Sequence, residues 1–184
     1  MYHFKIYGNN QLLSRPKIAI HASRETPARL SLPAQKLFKI LLKLGLAIGG
    51  GWHSPLEKQL LELYQPAAQT DLLIFIAKKF ANYRLPIHLK WAYDREKIAI
   101  VEPAIEQVRI SRITVGLRDR LIDDLIDRHL FLYIHPDGKL AKRFQKMRER
   151  QKIIYVMDHP ENREFIVPGV RLIDNETASD ILAN

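Results

Sequence analysis

The sequence predicts an α/β fold: a Rossmann-like, doubly wound, mainly parallel sheet with helices on both faces. Apolar runs of strand length recur along the chain, several of them apolar at consecutive positions, as in strands covered on both faces. Stretches of helical period separate them, and strands alternating with helices imply parallel βαβ units with right-handed crossovers. The chain has 184 residues, 47% hydrophobic and 27% charged, which suits one domain with a sizeable core.

Taken in order, strands are expected at 17–22 (KIAIHA), 46–49 (LAIG), 71–77 (DLLIFIA), 97–102 (KIAIVE), 130–135 (LFLYIH) and 152–158 (KIIYVMD). Leu37, Ile40, Leu41 and Leu44 repeat at helical spacing over 31–45, with Ser31 as N-cap and Gly45 as C-cap. Ser54, Pro55 and Glu57 give the second helix an N-cap, a proline at its first position and a capping-box carboxylate. Further helices are expected over 86–95, 112–127 and the strongly basic 138–150, with a short one near the end in TASDILAN. Residues 1–16 stand apart as an N-terminal extension. YHFKIY alternates like a half-exposed strand, so the extension is an edge strand, an arm or a loose tail, and 17–184 forms the single domain.

Composition narrows the function. Without cysteine there is no disulfide, thiolate zinc site or thiol nucleophile. No apolar stretch approaches the roughly 18 residues of a membrane span, and the first ten residues lack a signal-peptide core, so a cytoplasmic protein away from membranes is expected. Lys and Arg exceed Asp and Glu by 29 to 20, a net charge of +9 with a pI near 9.8. That excess favours encounter with nucleic acid or another phosphate-rich partner.

In an open parallel sheet a ligand sits beyond the carboxyl ends of the strands, where loops lead into helix N-termini. Those positions carry Ser23 and Arg24 after the first strand, and Gly49, Gly50, Gly51, Trp52 and His53 after the second. Lys78 and Lys79 follow the third, with Tyr83 and Arg84 behind them; Arg109, Ser111 and Arg112 follow the fourth; His135, Asp137, Gly138 and Lys139 follow the fifth. The triple glycine is either a phosphate-holding loop or only a tight turn, and it fits neither the P-loop nor the dinucleotide fingerprint. Trp52 is either a base-stacking platform or a core residue.

The order of these motifs resembles the DNA-processing protein A family, also called DprA or Smf. IAIHASRETP is similar to the family's opening strand and Gly-Ser-Arg turn, with Ser23 and Arg24 in the Ser-Arg places. LAIGGGWHSPLE resembles its Ser-Gly-Gly strand end, with Gly50 and Gly51 matching. IAIVEP resembles its Ser-Glu-x-Pro strand, VRISRITVGL its Arg-rich helix start with Arg112 and Gly116, and HPDGKLAKRF its Ser-Gly-Ser-Leu segment. The resemblance runs collinearly from about residue 17 to the end. It implies a Rossmann-like domain that holds single-stranded DNA in a basic pocket, with Arg24, the glycines 49 to 51 and Arg112 on the backbone, and a recombinase as protein partner. The alternative on the same fold is a nucleotide-binding sensor or a nucleotide-hydrolysing enzyme, with Glu102 or Asp137 near the ribose. The binding reading requires no catalytic residue, cofactor or metal ion, and a homodimer is left open.

Overall fold

The computed structural model describes residues 3–104 and 109–182. Among them, eight strands form one sheet: β1 (Phe4–Gly8), β2 (Lys17–Ala22), β3 (Ala47–Gly50), β4 (Asp71–Phe75), β5 (Ile98–Pro103), β6 (Arg128–Tyr133), β7 (Ile153–Met157) and β8 (Val170–Ile173). Their order is β1-β5-β4-β3-β2-β6-β7-β8. All pairs are parallel except β1 with β5. The expected α/β class is therefore observed. β1 is an antiparallel edge strand formed by residues of the N-terminal extension, and β8 is an edge strand that the expected elements did not include.

Five α-helices cross between strands: α1 (Ser31–Leu41), α2 (Pro55–Glu62), α3 (Lys90–Asp94), α4 (Arg112–Leu125) and α5 (Lys139–Glu149). The helix expected over 31–45 stops at Leu41, and Gly45 takes the positive φ of +69° that turns the chain into β3. The expected 86–95 helix divides into a 3-10 turn at Ile87–Leu89 and the short α3.

Alternation along the strands fills both faces. On one face Ile18, Ile20, Ile48 and Ile74 meet the apolar stripes of α1 and α2, including Leu37, Phe38 and Leu60. On the other, Ala19, Leu73 and Phe75 meet Leu121 and Ile122 of α4, and Phe131 and Val156 meet Phe144 and Met147 of α5. Small residues sit where α4 presses closest: a Cβ on Gly49 would lie 2.5 Å from Ile126 Cδ1. At the sheet edge, Gly8 ends β1 with φ +85°, and a Cβ there would meet the Ile98 carbonyl oxygen at 2.4 Å. Glycine is required for that close antiparallel approach.

Two histidines are built into the second face. His21 Nε2 lies 3.0 Å from His129 Nδ1, and His129 Nε2 lies 2.9 Å from the Ile126 carbonyl. A carbonyl only accepts, so His129 carries its proton on Nε2; its Nδ1 then accepts from His21 Nε2–H. Burial, reinforced by the Arg143 charge, pulls the His129 pKa down to about 3. Burial, with Arg143 and His129, also drives that of His21 well below its ordinary value. Both are neutral in the folded protein near pH 7, whereas the unfolded chain takes up protons as the pH falls through about 6.5. Folding stability is therefore expected to fall from about pH 6.5 downward, by up to ~1.4 kcal/mol per pH unit for each histidine. Urea unfolding at about pH 7 and about pH 5 checks this; equal stability at both would contradict a neutral buried pair.

Candidate nucleic-acid interface

The strand order reverses at β2, so the chain leaves β2 and β6 toward opposite faces and the carboxyl edge opens between them. Ser23 closes the floor of this gap: its backbone N–H donates to the Tyr133 carbonyl at 3.0 Å, and its Oγ accepts from the His135 N–H at 2.9 Å. Glu57 closes one wall. Its Oε1 accepts from the Ala22 N–H at 3.0 Å, and its Oε2 accepts from the N–H groups of His53 and Ser54 at 2.8 and 3.2 Å. Burial alone would raise its pKa, but the hydrogen bonds and charge of His53, with the backbone donors, outweigh that and hold the carboxyl below its ordinary value.

This geometry corrects the reading of the glycine turn as an open phosphate loop. The α2 N-terminus is an anion site already filled by a carboxylate of the same chain. Gly49 and Gly50 are strand residues, Gly49 packed under Ile126 and Gly50 beside the Trp52 ring. Trp52 is a core residue, 6% exposed, with φ +49°; its Nε1–H points at the Leu73 carbonyl at 3.3 Å and its ring meets the Phe38 edge. It offers no free face for a base. Gly51 has a different use: a Cβ there would lie 2.9 Å from both Arg118 Cζ and His53 Nδ1, so the bare glycine admits the guanidinium.

Two cavities flank the gap and share Arg24, His53 and Val115, forming one cleft. The inner lobe, about 400 Å³, lies between β2 and β6 and is lined by His21, Ser23, Asp137, Gly138 and Lys139 among others. Here the N-terminus of α5 begins at Gly138 with no side-chain cap. His21 lines this lobe, and by the tautomer argument its ring nitrogen Nδ1 carries a lone pair. The outer lobe, about 710 Å³, lies beyond β3 and β4. Arg24, Lys58, Lys78, Arg84 and Arg118 line it against one carboxylate among the described residues, Glu62. Lys78 lies over the Tyr83 ring at 5.7 Å, and Ile87 and Ile110, 84% and 61% exposed, stand at the rim.

Of the expected residues, Ser23, Arg24, Gly51, His53, Lys78, Gly138 and Lys139 are thus brought to one cleft. Lys79 begins a 3-10 turn outside the lining. Ser111 caps α4 in a capping box with Thr114, while Arg109 and Arg112 are exposed beside that cap and outside the lining of both lobes. Glu102 and Asp137 are not brought together. Their strands are four spacings apart, ~19 Å, and Glu102 instead accepts from Tyr7 O–H and Phe80 N–H at 3.0 and 2.8 Å.

The residues that sequence reasoning missed are Arg118 and Arg143. Arg118 is 4% exposed and donates from Nε and an Nη to Asp119 Oδ1 at 3.0 and 2.7 Å. Arg143 reaches Asp123 and the Asp119 carbonyl from α5. The available signal was phase: Arg118 falls on the same stripe of α4 as Thr114, Leu121 and Ile122, where an amphipathic helix should be apolar.

Among the described residues no group of three or more His, Cys, Asp or Glu could hold a metal, and no helix is long and apolar enough to cross a membrane. Replacing Glu57 by Ala removes one acceptor from three backbone donors and is expected to destabilise the fold by roughly 3 kcal/mol. Glu57→Gln, which keeps one acceptor oxygen, is expected to cost less. Urea unfolding of both variants measures this; wild-type stability in Glu57→Ala would show that the wall does not depend on the carboxylate.

No protein-family model matches the sequence, and no curated protein matches it. Solved structures do share its fold. DNA processing protein A from Streptococcus pneumoniae aligns with a TM-score of 0.74 at 16% identity, covering 98% of this chain and 65% of that one. The chain thus spans just under two-thirds of the pneumococcal protein. The same protein from Helicobacter pylori, described for its single-stranded DNA binding mode, aligns with a TM-score of 0.75 at 16% identity over 98% of this chain and 86% of its own. The molybdenum cofactor carrier protein of Chlamydomonas reinhardtii aligns less well, with a TM-score of 0.58 at 13% identity over 92% of this chain and 99% of its own. The fold is the Rossmann-like fold of the DNA processing protein A structures.

Proposed function

We propose that the chain binds single-stranded DNA as a DNA-processing protein of the DprA type, with the backbone held along the outer lobe of the cleft. The observation that carries the reading is the charge of that lobe: among the described residues Arg24, Lys58, Lys78 and Arg84 face Glu62 at the carboxyl edge of the sheet. Arg24, Lys78 and Arg84 would contact phosphates, and the uncapped α5 start at Gly138 and Lys139 would take another. Ile87, Ile110 and Tyr83 give the bases apolar surface without reading their edges. The fold shared with the Helicobacter pylori protein supports the same ligand. Binding of this kind needs no covalent chemistry: release of counterions from the strand drives it, and sequence preference is weak.

One observation favours a second reading. The inner lobe has the size of a nucleotide site and is lined by the neutral imidazole of His21 together with cationic groups. That suits a small phosphorylated ligand carrying a hydroxyl or amino donor, in keeping with the cofactor-carrier fold relatives.

Oligothymidylate titrations across a range of salt concentrations separate the residues. Arg24→Ala and Lys78→Ala are each expected to weaken binding and to lower the log–log salt slope by about 0.7, the loss of one phosphate contact. Arg112→Ala, outside the cleft lining, is expected to change it less. Unchanged slopes in Arg24→Ala and Lys78→Ala would overturn the assignment of the outer lobe. Tight binding of adenosine monophosphate with no affinity for the oligonucleotide would replace it by the second reading.

A further inference from the structure

We propose that the groove between α4 and α5 extends the single-strand track, taking about two further phosphates beyond the cleft. This rests on the single-stranded DNA reading above. The groove, about 670 Å³, shares Asp119, Lys139 and Arg143 with the inner lobe and is therefore continuous with the cleft.

Its charges are sorted in a way that a merely solvated helix face does not require. The α4 wall carries Asp119, Asp123 and Asp124, which would repel a polyanion. Arg143 is bonded to Asp123 and lies 3.6 Å from Asp119, and Arg150 pairs with Asp124, so the acidic wall is neutralised from across the groove. Lys139, Lys142 and Lys146 remain. All three are exposed and line the groove, and their ammonium groups have no hydrogen bond or ion pair among the described residues.

Their spacing of three and four residues puts them on one face of α5, spread over ~10 Å of helix at about 1.5 Å per residue. Lys139 already lines the cleft, so Lys142 and Lys146, at one phosphate each, account for about two phosphates beyond it. The row begins at Lys139, beside the uncapped α5 start inside the cleft, and runs outward from it. A strand leaving the inner lobe meets this row next. The groove is unlike the cleft in offering no exposed apolar rim, so it should hold backbone alone.

The test compares two oligothymidylates, one of about 8 and one of about 20 nucleotides, on the wild-type chain and on Lys142→Ala/Lys146→Ala. Both residues lie outside the lining of the cleft. The wild type is expected to bind the longer strand with the steeper salt dependence. The double variant should lose about 1.4 units of log–log slope on the long oligonucleotide, two contacts at about 0.7 each, and keep wild-type affinity for the short one. Lys142→Glu/Lys146→Glu should deepen the long-strand loss only. Equal losses on both lengths, or none on the long strand, would overturn the groove as a track while leaving the cleft in place. Failure of the wild type to bind either length would overturn the single-strand reading and the track with it.

Discussion

The structure depends on one topological constraint, the reversal of strand order at β2. Right-handed crossovers carry the chain from β2 through β5 over one face and from β5 through β7 over the other, where α4 and α5 pack. The loops after β2 and β6 must therefore part, and no packing can close the space between them. The chain supplies its own plugs at the bottom of that space. Ser23 bridges the two loops, and Glu57 satisfies three backbone donors that would otherwise face a cavity. What remains open above them is the cleft.

The same economy governs charge. Burying an arginine without a partner is prohibitive, and Arg118 and Arg143 are held among Asp119 and Asp123 rather than left for a ligand. Neutral imidazoles, not cations, fill the sheet beneath them, because burial and the nearby guanidinium oppose a further positive charge. The surplus that makes the molecule basic is thereby pushed outward, to Arg24, Lys78 and Arg84 on the cleft and to Lys142 and Lys146 on α5. Those are the charges that can exchange counterions for phosphates.

Much of this was legible in the sequence because the signals were local. Consecutive apolar runs located the six inner strands within a few residues, and Ser54, Pro55 and Glu57 marked the start of α2. β8 was not legible, since four residues with Arg171 and Leu172 facing outward lack the run of a covered strand. The glycine turn misled for a physical reason. Glycine serves phosphate loops and tight packing alike, and only the register of β3 under Ile126 and the return of Glu57 to its own helix N-terminus decide between them. Arg118 and Arg143 escaped because a guanidinium on a helix reads as surface charge until the packing of α5 on α4 and its aspartates is known. The Ser-Arg turn after residues 17–22 lies in the lining of the cleft, because a polar pair that follows a buried strand is carried past the end of the sheet.

The central claim is that an open, unpaired strand lies in the cleft, where bases reach the apolar rim at Ile87 and Ile110 while phosphates meet the cations below. A duplex keeps its bases stacked inside and offers only phosphate. The most direct measurement is the affinity of the chain for one short oligonucleotide, single-stranded and as the duplex of the same length, followed through increasing salt. Tighter binding of the single strand, with a preference that survives at high salt, is the expected result. Equal binding of both forms that vanishes together as salt rises would leave only a basic protein and contradict the cleft as a single-strand site.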